Sequence, residues 1–239
     1  MFNQNKDLIY LPRNRFIWFV LTFVAAYVNV GGFFAVHQFV SHVTGLLGHF
    51  GVYAGQGKIP QAIMALLVPF SFLLGAIFTG LFTDVRRHVN KAPIYYHLPL
   101  INSFLYFFVV IAGTKGLLGI FGEPFENYVD FITAVILSFS CGIQNALFTS
   151  FSGAVVRTTH MTGLMTDLGL NISQMISGQA TPEIKRNVKL KMELIFSFCL
   201  GGIVGSYLFV SYEFMAFISP AVVCLLISMR FMFDRWGRK

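Results

Sequence analysis

A long uncharged segment near the start of the chain is the feature that most limits its possible folds. No Asp, Glu, Lys or Arg occurs from Phe16 to Gly57, and further apolar runs follow. In the whole chain 56% of the residues are hydrophobic and 11% are charged, against about 25% charged in typical soluble domains. The sequence therefore predicts an all-α, polytopic membrane protein. The net charge of +7 lies in clusters between the apolar runs, which favours orientation in a bilayer over nucleic-acid binding.

Six segments have the composition of membrane-spanning helices, which need about 20 mostly apolar residues. They are residues 16–36, 61–83, 93–113, 127–149, 194–212 and 214–233. Six spans place both termini on one side of the membrane. If that side is the cytoplasm, only Lys58 and Lys115 of the 17 Lys and Arg residues lie outside, as the positive-inside rule predicts. The histidine- and glycine-containing segment 37–57 is expected to be a short re-entrant or interfacial piece.

One pattern occurs twice, as HVTGLLGHFG at residues 42–51 and as HMTGLMTDLG at residues 160–169. Each copy follows the first span of a three-span group, which divides the chain into repeats at 1–125 and 126–239. A unit with three spans reverses its orientation when repeated, so we expect a 3+3 inverted repeat with the two copies near opposite faces of the membrane. Such repeats are typical of secondary transporters. The alternative is a chance match of a short Thr-Gly turn.

The repeated pattern supplies the first candidates for substrate binding and gating. They are His42, Thr44 and Gly45 around the first copy, and Thr159, His160, Thr162 and Gly163 around the second. Glycine permits backbone conformations that other residues resist, so the glycines indicate helix breaks, and the free N–H groups of a following helix attract anions. The threonines could cap these turns or bind a ligand, and the histidines could carry protons. Alternatively, the histidines only hydrogen-bond the turns.

The segment before the second copy, GIQNALFTSFSGAVVRTTHMTG, adds further polar candidates. Gln144 and Asn145 lie in a predicted span, where polar side chains are costly unless they face the protein interior. Asn29 is a polar candidate for the cavity in the first span. Arg157 could bind a carboxylate bidentately, or it could pair with Asp167 to hold a cytoplasmic gate.

Small residues recur at four-residue spacing in two predicted spans. The stripes are Ser138, Gly142, Ala146 and Ser150 in the fourth span, and Ser197, Gly201 and Gly205 in the fifth. Such stripes let a second helix approach closely. We therefore expect both faces to pack against neighbouring helices.

The motifs GIQNA and VRTTHMTGLMTDLG give the chain a family resemblance. Over nearly its whole length the sequence resembles the YoaK-like family of bacterial six-span membrane proteins, a domain of unknown function. Residues 44–45, 142–146 and 157–163 match the motifs of that family. Asn29 departs from it, since relatives usually have an acidic residue there, and this weakens any proposal that a carboxylate at this position carries protons. The resemblance implies a location in the bacterial inner membrane and no firm substrate.

The segment GLFTDVRRHVNK, between the second and third predicted spans, is similar to a signature of the major facilitator superfamily. Gly80, Asp84 and Arg87 match the pattern Gly-x-x-x-Asp-Arg-x-Gly-Arg-Arg, whereas the intervening Arg-x-Gly is missing. A major facilitator pairs two six-span halves, each with a nested inverted repeat. The chain has the size of one half, so this resemblance implies a homodimer that rebuilds a whole transporter.

Together these features predict a secondary transporter of a small anionic solute, such as a carboxylate or a metal-chelating acid, with proton coupling through a motif histidine. No cofactor or metal is expected, because the three cysteines lie apart in apolar runs without metal-binding spacing. An intramembrane serine hydrolase is one alternative. However, Ser152 falls at the end of a span and the sixth span lacks a deep histidine, so enzymatic activity is not predicted. A passive channel or a ligand sensor is another alternative.

Overall fold

The computed structural model describes residues 9–123, 128–152 and 161–236, and within these ranges the chain is helical without a β-strand. The predicted all-α class is confirmed. The helices are α1 (Pro12–Val36), α2 (Val43–Gly55), α3 (Ile59–Phe82), α4 (Asp84–His88), α5 (His97–Thr114), α6 (Tyr128–Ser152), α7 (Met161–Ile176), α8 (Pro182–Tyr212) and α9 (Ile218–Trp236), with a 3-10 segment at Glu213–Phe217.

Five stretches of the described chain are long and apolar enough to cross a membrane, which is the character of a multi-pass membrane protein. They are Pro12–Val36, Ile59–His88, His97–Thr114, Phe131–Ser152 and Pro182–Asp234. The last has 53 residues, equivalent to about 80 Å of straight helix, and it contains both α8 and α9. The count of five differs from the six predicted spans because no loop separates these two helices.

The chain reverses its direction between α8 and α9. Glu213, at the junction, has a positive φ of 47°, which residues other than glycine rarely adopt. Phe209 near the end of α8 packs against Phe217 just before α9, with ring centroids 4.7 Å apart. Leu190 near the start of α8 belongs to the same apolar cluster as Ile227 near the end of α9. The two helices are therefore antiparallel.

The observed boundaries differ from the predicted ones where polar residues extend a helix. Helix α8 begins at Pro182 instead of residue 194, because the Thr181 side chain caps it by accepting a hydrogen bond from the backbone N–H of Ile184 (3.2 Å). The segment 37–57 contains α2, whose 13 residues extend about 20 Å. That is shorter than the hydrocarbon core of about 30 Å, in agreement with the short piece that was expected.

Two pairs of long helices, α3 with α6 and α1 with α8, cross at backbone distance. A Cβ atom on Gly142 of α6 would lie 2.1 Å from the carbonyl oxygen of Phe72 in α3. A Cβ atom on Gly201 of α8 would lie 2.3 Å from the carbonyl oxygen of Phe23 in α1. Both predicted small-residue stripes therefore lie at helix crossings, as expected.

The short helices α2 and α7 lie toward opposite ends of the bundle. Leu46 of α2 is buried in a cluster with Val36 at the end of α1 and Phe209 at the end of α8. Leu164 of α7 is buried in a different cluster, with Trp18 in the first half of α1 and Leu190 near the start of α8. The first and last described helices meet at the α7 end, where Arg13 of α1 forms an ion pair with Asp234 of α9.

Candidate functional site

A cavity of about 1170 Å³ lies between the starts of α2 and α7, against α3 and α6. Eight of the predicted site residues line it: Asn29, His42, Thr44, Gly80, Asp84, Arg87, Asn145 and Thr162. The two copies of the repeated pattern thus contribute to one cavity, with His42 and Thr44 from α2 and Thr162 from α7. Its volume lies slightly above the range of about 300–1,000 Å³ that is typical of small-molecule pockets, so a small organic molecule fits inside it.

The start of α2 forms one end of the cavity. His42 is the N-cap residue, and its side chain makes no capping hydrogen bond. The predicted helix break at Gly45 is wrong, because Gly45 lies inside α2 and its backbone is not left-handed. Its small size matters instead: a Cβ atom there would lie 2.5 Å from Nδ1 of His42. Thr44 lies in the first turn and is not the cap residue.

Asn29 of α1 fixes the loop that precedes α2. Its Oδ1 atom accepts two hydrogen bonds from Ser41, one from the backbone N–H (3.0 Å) and one from Oγ (2.9 Å). Both residues line the cavity. Since these bonds use only the acceptor of the carboxamide, the Nδ2 donor of Asn29 has no acceptor among the residues that the structure describes.

The neighbouring residues Gln144 and Asn145 have different roles. Gln144 is 2% exposed, does not line the cavity, and donates a hydrogen bond from Nε2 to the backbone oxygen of Leu21 in α1 (2.6 Å). Asn145 lines the cavity, and its buried Oδ1 atom has no hydrogen-bond partner in the described part of the chain. Successive residues on a helix face different directions, so only Asn145 can serve the cavity.

A polar network closes the opposite end of the cavity, where α4 meets the end of α6. Arg87 donates from Nη1 to Asp84 Oδ1 (2.9 Å) and from Nη2 to the backbone oxygen of Ser150 (2.8 Å) and to the hydroxyl of Tyr95. The Ser150 hydroxyl in turn donates to Asp84 Oδ1 (3.0 Å). Burial raises the pKa of Tyr95, and the nearby Arg87 partly opposes this shift. Tyr95 is therefore protonated near neutral pH.

Two predicted residues of α7 do not line the described cavity, and three others lie outside the described residues. Gly163 and Asp167 lie in α7, and neither lines it. Asp167 faces Lys191 of α8, with Oδ2 and Nζ 3.9 Å apart. Arg157, together with Thr159 and His160, lies outside the described residues, so its pairing with Asp167 stays a prediction.

Sequence reasoning did not single out the aromatic walls of the cavity or most of its hydroxyl groups. The rings belong to Phe39, Phe72 and Phe198, and the missed hydroxyls to Ser41, Thr79 and Thr149. The chain has 28 phenylalanines, and no pattern distinguishes these three. Thr149 could have been found, because it follows Asn145 by one helical turn and therefore shares its face.

The described lining combines carboxamides, hydroxyls and aromatic rings with a single carboxylate–guanidinium pair, Asp84 and Arg87. Among the residues that the structure describes, no cluster of three or more His, Cys, Asp or Glu side chains could hold a metal ion. The carboxamides and hydroxyls of the lining can form hydrogen bonds with a small solute, and its aromatic rings can stack against one.

Comparison with known proteins identifies a family. Residues 17–229 match the family described as "Protein of unknown function (DUF1275)", which is consistent with the YoaK-like resemblance. No curated protein and no solved structure matches the chain. The similarity to half of a major facilitator stays a prediction.

Proposed function

The chain belongs to the DUF1275 family of proteins of unknown function, and we propose that it is a secondary transporter of a small organic solute. The supporting observation is the cavity of about 1170 Å³ that both copies of the repeated pattern line from opposite ends of the bundle. A site near the middle of the membrane, reached from either side in turn, is the common arrangement of secondary transporters.

In this proposal the chain spans the bacterial inner membrane six times, through α1, α3, α5, α6, α8 and α9. The antiparallel arrangement of α8 and α9 supports two crossings in the 53-residue stretch. Their lengths of 31 and 19 residues suit a hydrocarbon core of about 30 Å. The clusters of Lys and Arg favour cytoplasmic N- and C-termini, with α7 on the cytoplasmic side and α2 on the outer side.

The proposed 3+3 inverted repeat relates α1, α2, α3 and α5 to α6, α7, α8 and α9. The packing supports it, because helices that correspond in the two repeats have corresponding neighbours. The contact between α1 and α8 corresponds to the contact between α6 and α3, and the contact between α2 and α3 corresponds to that between α7 and α8. Asn29 and Asn145 also correspond, since each stands seven residues before the end of its helix at Val36 or Ser152.

Alternating access then requires each end of the cavity to open in turn. The Asp84–Arg87 pair, with Tyr95 and Ser150, joins α4 to the end of α6 and restrains the cytoplasmic end. At the other end, Asn29 restrains the loop before α2. The cavity opens to the cytoplasm when the Asp84–Arg87 network breaks while Asn29 still holds the loop before α2. It opens to the outside when the network is intact and Asn29 releases the loop.

An anionic solute, which the sequence predicts, depends on residues other than Asp84 and Arg87, because those two already neutralise one another. His42 and the uncapped start of α2 favour an anion at the outer end, and Arg157 is the fixed cation predicted near α7.

Proton coupling is proposed through His42 or His160. A homodimer is proposed by analogy with the two six-span halves of a major facilitator, and cross-linking that yields only monomers in the membrane would contradict it.

The test is solute exchange by the purified protein in proteoliposomes, with citrate, succinate, nicotinate, nicotinamide and uracil as probes. We expect saturable exchange of at least one probe, greatly reduced in Asn145→Leu and retained in the exposed control Asn90→Asp. Flux that rises linearly without saturation would indicate a passive channel. No exchange of a probe that binds the protein would refute the transporter proposal.

A further inference from the structure

We propose that the cavity selects an uncharged, flat solute that carries a hydrogen-bond donor beside an acceptor, as nucleobases and aromatic carboxamides do. This inference rests on the proposed function, because it assigns a substrate class to the same cavity. It replaces the anion expected from the sequence with a neutral ligand, and three properties of the described lining support it.

The first property is the unpaired carboxamide of Asn145. Its buried Oδ1 has no partner among the described residues, and leaving a buried acceptor unpaired is costly. A carboxamide offers one acceptor beside an N–H donor. A carboxylate ligand could accept from Nδ2, but its negative oxygen would face Oδ1 without donating to it. An amide edge on the ligand donates to Oδ1 and accepts from Nδ2 at the same time.

The second property is the charge of the lining. Asp84 and Arg87 are bonded to one another (2.9 Å), and Arg87 also donates to Ser150 and Tyr95. Neither is available to compensate a new charge. An anion that leaves water without a matching cation carries a large desolvation penalty. In the described lining the other basic side chain is His42, which is exposed at one end of the cavity, so no cation among the described lining residues is left to pair with an anion beside Asn145.

The third property is the aromatic wall. Phe39, Phe72 and Phe198 line the cavity, and Phe39 is held by stacking on Phe33, with ring centroids 4.6 Å apart and planes 17° apart. Phenyl rings favour offset-stacked or edge-to-face contact with another ring. Flat aromatic solutes gain such contacts, whereas short aliphatic acids do not.

Asn29 supplies a further donor at the outer end. Its Oδ1 is used twice by Ser41, so only Nδ2 is available to a ligand. The asparagine pair therefore offers one donor at Asn29 and a donor–acceptor pair at Asn145. A ring with a carbonyl group at one position and an amide edge at another matches this set.

The experiment compares two probes that share a pyridine ring, nicotinamide and nicotinate, with uracil as a second neutral probe. Binding to the full-length protein in lipid nanodiscs is measured by isothermal titration calorimetry. We expect nicotinamide or uracil to bind at least about tenfold more tightly than nicotinate, since a bidentate carboxamide contact discriminates by about this factor.

Two variants of Asn145 and one control complete the test. Asn145→Leu and the size-matched Asn145→Asp should each weaken binding of the neutral probe by about tenfold or more, whereas the exposed Asn90→Asp should leave it unchanged. Tighter binding of nicotinate, equal binding by all variants, or no binding of either neutral probe would overturn the proposed substrate class.

The same probes separate this inference from the proposed function. Nicotinate that binds more tightly than both neutral probes and is exchanged across proteoliposomes would refute the neutral class and retain the transporter. Neutral probes that bind through Asn145 without being exchanged would retain the class and refute the transporter.

Discussion

The substitution Gly142→Ala should destabilise the bundle at the crossing of α3 and α6. An alanine Cβ would lie 2.1 Å from the carbonyl oxygen of Phe72, about 1.3 Å inside the ordinary contact distance of 3.4 Å. The obstacle is backbone, so relief requires the helices to move apart. That movement also lengthens the hydrogen bond from Ser138 Oγ to the backbone oxygen of Val68 (2.9 Å). Overpacking of this kind costs about 1–3 kcal/mol.

The assay is thermal unfolding of the detergent-solubilised protein, followed by tryptophan fluorescence. A loss of that size lowers the apparent Tm by roughly 2–12 °C in a chain of this length. The matched control is Gly48→Ala in α2, where a Cβ atom meets nothing within 4 Å. Because alanine favours a helix over glycine by about 1 kcal/mol, the control should keep or raise the Tm. A Gly142→Ala protein that unfolds no earlier than the wild type would refute the close crossing.

Three further substitutions test the two ends of the cavity. Gly45→Ala should displace the His42 ring, because the new Cβ would lie 2.5 Å from Nδ1, and NMR of labelled histidine should show a shifted His42 resonance; an unchanged resonance would contradict the contact. Asn29→Ala should speed hydrogen exchange of the Ser41 amide by about tenfold, whereas Asn29→Asp, which retains an acceptor, should preserve its protection. Asp84→Asn should weaken the network and speed exchange at the end of α6, and identical exchange would show that the network does not restrain this end.

The spans could be predicted from the sequence because apolar length is a local property. Even the reversal between α8 and α9 left a signal, since Glu213 is the charged residue that interrupts the apolar stretch between the two predicted spans. The stripes around Gly142 and Gly201 were likewise visible, because four-residue spacing places small residues on one helix face.

Other parts of the site could not be predicted, because they depend on contacts between segments far apart in the chain. The role of Gly45 follows from where the His42 ring lies, which spacing does not reveal. The different roles of Gln144 and Asn145 follow from which side of α6 faces α1, and adjacent residues carry no sign of this. The aromatic wall at Phe72 and Phe198 depends on how α3 and α8 flank the cavity.

If one cavity is reached in turn from opposite sides of the membrane, side-specific cysteine labelling should reveal it. Thr44→Cys and Thr162→Cys would be made separately in a background with the exposed Cys199 replaced, since Cys141 and Cys224 are buried. Right-side-out and inside-out vesicles would then be treated with a membrane-impermeant maleimide. We expect labelling of Thr44→Cys only from outside and of Thr162→Cys only from inside, with a bound solute changing the two rates in opposite directions. Labelling of both positions from the same side would contradict this expectation.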